Sequence, residues 1–144
     1  MAAFHLRHVA PQTDYWLYSD ITGAQTQVDT NRAKDWTITL APTAAPLAFK
    51  GGQLMMKRGS SSSANVVLTP YSSTSSSGTQ LAQATLPPTS FAASVALEVF
   101  QCASAVTLTA GNTYYDPLTS TAVDTQSQAY FIRTDLSRCL PSPP

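Results

Sequence analysis

Two histidines, His5 and His8, stand three residues apart in FHLRHV, close to the start of the chain. On a helix this spacing would set both imidazoles on one face, ready to share a metal. The segment reads as a strand, where residues three apart point to opposite faces. No third histidine exists and no cysteine lies nearby, so the four-ligand set that zinc requires is not assembled. Carboxylates are the other metal candidates. Asp14, Asp20, Asp29 and Asp35 are spread along the first 35 residues, and Asp116 and Asp124 flank a polar stretch. Calcium needs several oxygens converging on one point, and the D-x-[DN]-x-[DN]-G spacing is absent. Asp116 is the one conceivable ligand, but solvated loop aspartates are the favoured reading, and no metal or cofactor is expected.

Catalysis has equally little to work with. A serine or cysteine nucleophile needs a histidine base and an orienting carboxylate. Serines are plentiful, but both histidines lie within the first eight residues and no G-x-S-x-G elbow occurs. Glycoside hydrolysis needs two facing carboxyl groups. The sole glutamate, Glu98, lies in an apolar segment that is expected to be buried. Cys102 and Cys139 have no CxxC partner and are expected to be reduced, incidental thiols. The chain is expected not to be an enzyme and to have no catalytic residues.

What remains are aromatics. A planar ring can stack on the apolar face of a sugar or anchor a protein partner, and the exposed candidates are Trp16, Tyr71 and Tyr115, with Tyr15, Tyr18 and Tyr114 beside them. Trp36, Tyr114, Tyr130 and Phe131 are expected to fill a core instead, where aromatic rings dominate burial.

The elements that must position these residues are strands. Lys and Arg total 8, Asp and Glu total 8, and charged residues make up 11% of the chain, far below the ~25% usual in soluble domains. Polarity comes instead from Ser and Thr, 36 of 144 residues. Thr favours strands and Ser favours turns, so the composition predicts an all-β fold. In DWTITL, Trp36, Ile38 and Leu40 alternate with Thr37 and Thr39, the period of a half-buried strand. Further strands are predicted in GGQLMMKRG with the glycines ahead of the strand, in ANVVLTPY, in TQLAQATLPP, in VALEVFQC followed by AVTLT, and in AYFIRTDL over 129–136. The segment ITGAQTQVDTNRAKD reads as polar and turn-rich. The serine runs at 59–64 and 72–78 read as loops on either side of the strand in 65–71, because pieces of about 60 residues flanking a linker would be marginal on their own.

This organisation divides into an N-terminal arm or first hairpin over 1–35, a β-sandwich domain over 36–136, and a Pro-rich tail over 137–144. The net charge is zero, which disfavours nucleic-acid binding. No apolar run reaches membrane-spanning length, so no membrane partner is expected. No signal-peptide h-region follows Met1, so the chain is expected to stay in the cytoplasm or to be released by lysis rather than secreted.

The order LMMKRGSSSSANVVLTPYSSTSSSGTQLAQATLP, then SVALEVFQCASAVTLTAGNTYY, resembles the jelly-roll β-sandwich modules of tailed-bacteriophage virion proteins and bacterial surface proteins. The steps that carry the likeness are Gly78-Thr79-Gln80-Leu81-Ala82-Gln83-Ala84 and Val106 to Tyr114 in VTLTAGNTY. The resemblance covers residues 36 to 134. The segment DPLTSTAVDTQSQ after Tyr115 departs from it. It implies an antiparallel jelly-roll-like sandwich of about eight strands with extended terminal arms. It also implies a structural role in the virion, foremost as a capsid decoration (cement) protein. The implied partners are the major capsid protein or another virion protein, together with copies of itself in a symmetric oligomer such as a trimer. A carbohydrate-binding module of a phage tail or fibre is the alternative.

Overall fold

The computed structural model describes residues 25–43 and 45–133 in full, and the backbone of Phe4–His5 and Asp14–Tyr18. In chain order the strands are β1 Phe4–His5, β2 Asp14–Tyr18, β3 Gln25–Val28, β4 Lys34–Thr39, β5 Leu47–Arg58, β6 Val66–Leu68, β7 Ala84–Leu86, β8 Ala96–Leu108, β9 Thr113–Ser120 and β10 Tyr130–Arg133. A single 3-10 turn, Pro88–Ser90, interrupts them among the described residues.

Strands β3 to β10 form an all-β sandwich of two four-stranded antiparallel sheets. One sheet has the order β3-β10-β5-β8 and the other β4-β9-β6-β7. This is the strand order of a jelly roll, in which two Greek keys wrap eight strands into facing sheets. The first sheet is widened by β2, which lies parallel to β5, and by β1, which pairs with β2.

The alternation in β4 sets the pattern for the core. Trp36, Ile38 and Leu40 are buried, while Thr37 and Thr39 face outward. From the facing sheet come Phe49, Leu54 and Met56 of β5, Phe100 and Cys102 of β8, and Tyr130 and Ile132 of β10. Each large apolar side chain buried this way contributes about 1.5–3 kcal/mol of transfer free energy. Two buried tyrosines have their hydroxyls satisfied: the Tyr130 hydroxyl donates to the Ala64 carbonyl at 2.5 Å, and the Tyr114 hydroxyl accepts from the Thr109 N–H at 2.7 Å. Phe91 packs its ring 4.8 Å from that of Tyr130. Phe131 departs from the expectation. It is half-buried on the outer face of its sheet, with the Lys57 Nζ 5.2 Å from its ring centroid, because Tyr130 and Ile132 take the inward positions of β10.

Strand β5 runs through its glycines rather than starting after them. Both neighbours skip Lys50, with register shifts at Phe49/Gly51 against β8 and at Tyr15/Trp16 against β2. Gly51 absorbs the shift with φ +139, and a Cβ there would lie 1.8 Å from the Phe100 carbonyl oxygen. Two strands escape the sequence reading altogether. β3 lies inside the polar QTQV stretch, and β9 runs through DPLTS, despite Pro117. The strand predicted over 129–136 is observed as Tyr130–Arg133, and that predicted in TQLAQATLPP shortens to Ala84–Leu86. The Pro-rich tail lies outside the described residues.

Both serine runs are loops flanking β6, and both are held by hydrogen bonds, the first to the loop before β10 and the second across its own ends. In the first, Ser61 N–H donates to Ser127 O at 2.7 Å, and the buried Ser62 hydroxyl donates to Gln128 O at 2.7 Å. In the second, Ser72 N–H donates to Thr79 O at 3.0 Å, and Thr79 N–H donates to the Ser72 hydroxyl at 3.2 Å.

Candidate functional site

Tyr71 and Tyr115, separated in sequence by 44 positions, meet on the outer face of the β4-β9-β6-β7 sheet. Pro70 removes one backbone donor after β6, yet the ladder to β9 continues past it. Thr69 N–H donates to Pro117 O at 3.1 Å, Tyr71 N–H donates to Tyr115 O at 2.7 Å, and Tyr115 N–H returns to Tyr71 O at 3.1 Å. Residues opposite each other in an antiparallel pair present their side chains on the same face. The ring centroids accordingly lie 6.3 Å apart, with planes inclined at 38°. Tyr115 points outward because its neighbours Tyr114 and Asp116 take the buried positions of β9.

The pair is the centre of a longer row. Thr37 of β4 lies opposite Tyr115, and Gln80 lies opposite Tyr71. The row Thr37, Tyr115, Tyr71, Gln80 thus crosses the sheet, and at about 4.8 Å per strand spacing it extends roughly 14 Å. One row away, the Thr39 and Thr113 hydroxyls share a hydrogen bond of 3.0 Å. Asp35 is the charged group beside the pair. Desolvation, and then its hydrogen bond and negative charge, push the Tyr115 hydroxyl above its ordinary pKa.

Trp16 does not join this site. Its strand, β2, pairs with β5 and so belongs to the opposite sheet. The three residues singled out together from the sequence are therefore divided between two sheets.

That opposite sheet presents a different surface. On β8 the inward positions are held by Glu98, Phe100 and Cys102, leaving Leu97 51% and Val99 42% exposed. Met55 lies opposite Leu97 and Gln53 opposite Val99, and Phe131 lies opposite Lys57 on the far side of β5. The result is an outer face with aliphatic, thioether and aromatic side chains, with Lys57 and Arg133 also among its outward positions.

The carboxylates divide by environment. Asp124 and Asp29 are ion-paired by Arg32, whose Nη1 lies 2.7 Å from Asp124 Oδ1 and 2.9 Å from Asp29 Oδ2. Gln27 Nε2 donates to Asp29 at 2.8 Å and to Asp124 at 3.0 Å. The hydrogen bond from Asn31, with the charge and hydrogen bonds of Arg32 and the hydrogen bond from Gln27, holds Asp124 below the usual carboxylate range against an opposing desolvation. This clasp ties the β3–β4 turn to the loop before β10. Asp116 is the correction to the reading of solvated loop aspartates: it is completely buried in β9, facing the core. Neither of its oxygens has a hydrogen-bond partner among the described residues, and the same holds for Nε1 of Trp36, its cross-strand neighbour. Burial pushes the Asp116 pKa up to about 8. Asp116 and Asp124 do not converge, and no group of three metal-ligating side chains forms among the described residues.

Glu98 is buried, and desolvation raises its pKa against an opposing hydrogen bond from Ala92. Cys102 is buried and unpaired, its thiol pushed up to about 11 by burial and by the nearby Asp116. His5 is described by backbone alone, and His8 and Cys139 lie outside the described residues. Sequence reasoning missed the Leu97–Val99 surface because alternation in VALEVF does not tell which set faces inward. No family model matches the chain, and neither curated proteins nor solved structures provide a match.

Proposed function

We propose that this chain is a non-enzymatic structural component of a tailed-phage virion, a capsid decoration protein that braces the head by attaching to the major capsid protein or another virion protein. The observation that carries the reading is the outer face of the large sheet, where Leu97 and Val99 are exposed beside Met55 and Phe131. Adjacent exposed apolar side chains of this kind mark protein contact surfaces. The jelly-roll strand order supports the same reading, since capsid proteins are among the proteins built on it, although the fold also hosts other functions. Low charge suits a surface that crowds against copies of itself, and a symmetric oligomer such as a trimer fits a threefold position on a shell.

The test is sedimentation of the purified protein with capsid shells lacking it. Wild-type protein is expected to pellet with the shells. Leu97→Lys and Val99→Lys, which place a charge in the contact, are expected to weaken attachment at least tenfold while retaining cooperative unfolding. Failure of the wild-type protein to pellet, or equal attachment of both variants, would reject the reading.

A further inference from the structure

The tyrosine row of the smaller sheet faces away from the surface invoked above and carries a separate inference. We infer that Tyr71 and Tyr115 form a stacking site for an uncharged, hydroxyl-rich sugar chain lying along the row Thr37, Tyr115, Tyr71, Gln80. This goes beyond the structural role and does not rest on it.

Four observations point to that ligand class. First, the backbone positions that carry the two rings are held side by side, because reciprocal backbone hydrogen bonds of 2.7 and 3.1 Å lock their strands together. A ligand therefore orders little backbone on binding, which lowers the entropic cost of a small interface. Second, the rings lie side by side at 6.3 Å with a 38° tilt, and both are half-buried. Such a pair is a shallow open platform, suited to the flat C–H face of a pyranose, which meets the electron-rich ring face favourably. Third, the row ends in a hydroxyl at Thr37 and an amide at Gln80, groups that can donate to and accept from sugar hydroxyls. The loop that joins Tyr71 to Gln80 is the second serine run, and it is held in shape by the Ser72–Thr79 hydrogen bonds at 3.0 and 3.2 Å.

Fourth, charge selects among sugars. Along β4, β9 and the Tyr71–Gln80 row, the outward positions 35, 37, 39, 113, 115, 117, 119, 71 and 80 hold one ionisable group other than the tyrosines, Asp35. Its carboxylate lies close enough to the Tyr115 hydroxyl to raise that hydroxyl's pKa. A carboxylate beside the platform disfavours uronate, sulfated or phosphorylated ligands by like-charge repulsion. The platform is thus set for neutral glycans.

The probes are cellohexaose, maltohexaose and mannohexaose, with hexa-galacturonate as the acidic control, titrated into the full chain and read by NMR shifts of the tyrosine rings. A half-buried platform of this size is expected to bind at least one neutral probe with Kd on the order of 0.1–1 mM. Tyr71→Ala and Tyr115→Ala are each expected to weaken that binding at least tenfold. Tyr71→Phe, which keeps the ring, should bind within threefold of wild type and so separates lost stacking from lost folding. Three results would overturn the inference: no neutral probe bound at concentrations up to about 10 mM, the acidic hexamer bound as well as the neutral ones, or Tyr71→Ala detaching the protein from capsid shells with glycan binding unchanged. The last would assign the face to a protein partner. Attachment through Leu97 and Val99 is read in a different assay with different variants, so either proposal can fail alone.

Discussion

Replacing Asp116 by asparagine should change how the stability of the sandwich depends on pH. Asp116 is fully buried with neither oxygen hydrogen-bonded among the described residues, so the folded protein resists its ionisation until about pH 8, against 3.8 for the free group. Between those values the unfolded chain has released a proton that the folded chain retains. Stability from this group is therefore fully present below about pH 3.8 and falls as pH rises, until the folded state also ionises near pH 8. At about 1.4 kcal/mol per pH unit, the interval from 3.8 to neutral pH removes roughly 4 kcal/mol, a large part of the roughly 5–15 kcal/mol that holds a typical domain folded. An asparagine side chain at this position cannot ionise and keeps nearly the same shape. The assay is urea unfolding followed by fluorescence, with Trp36, the cross-strand neighbour of Asp116, as a reporter. The stability difference between Asp116→Asn and wild type should shift in favour of the variant by roughly 4 kcal/mol between about pH 4 and pH 7. Other titrating groups, such as Asp124 and Glu98, act in both proteins and cancel. A difference that stays constant within ~0.5 kcal/mol across that range would show that the carboxyl is not held neutral by the core.

Gly51→Ala should destabilise by about 3 kcal/mol or more, since it combines a left-handed backbone with a clash against a fixed carbonyl; thermal melts would check it, and a loss below ~1 kcal/mol would mean that the bulge at Lys50 relaxes easily. Arg32→Ala leaves the buried Asp29 carboxylate with fewer donors and should cost about 1–3 kcal/mol in urea unfolding. In a Cys139→Ser background, Cys102 should remain unlabelled by a thiol reagent at about pH 8 in the folded protein and react on unfolding, because its thiol is buried and ionises only near 11. Rapid labelling of folded protein would place that side chain in contact with solvent.

The physics of alternation explains what could be read in advance. β4 carries unbroken apolar/polar alternation in WTIT, β6 is the short apolar run VVL, and the strand order of the two sheets matches the sandwich fold expected for the segments on either side of the serine runs. β9 was hidden because one of its inward positions holds an aspartate and one of its outward positions a proline; its alternation of Tyr114, Asp116, Leu118 and Ser120 becomes visible only once a buried carboxyl is allowed. β3 was hidden because a four-residue strand with a single apolar member, Val28, has too little pattern to detect. The tyrosines were legible one at a time as candidate contact residues. Their meeting depends on the register of the β6–β9 ladder beyond Pro70, and register is set by pairing across 44 positions, which local pattern does not encode. Trp16 shows the converse, being a sound candidate by type that the topology assigns to the other sheet.

The central claim, that this chain works by attaching to a virion shell through its large sheet, is tested most directly by an electron cryomicroscopy map of particles assembled with it. The account predicts density for the jelly roll on the outside of the head, with Leu97 and Val99 of β8 against the shell. A map that places the chain elsewhere, or turns the Leu97–Val99 face toward solvent, would contradict it.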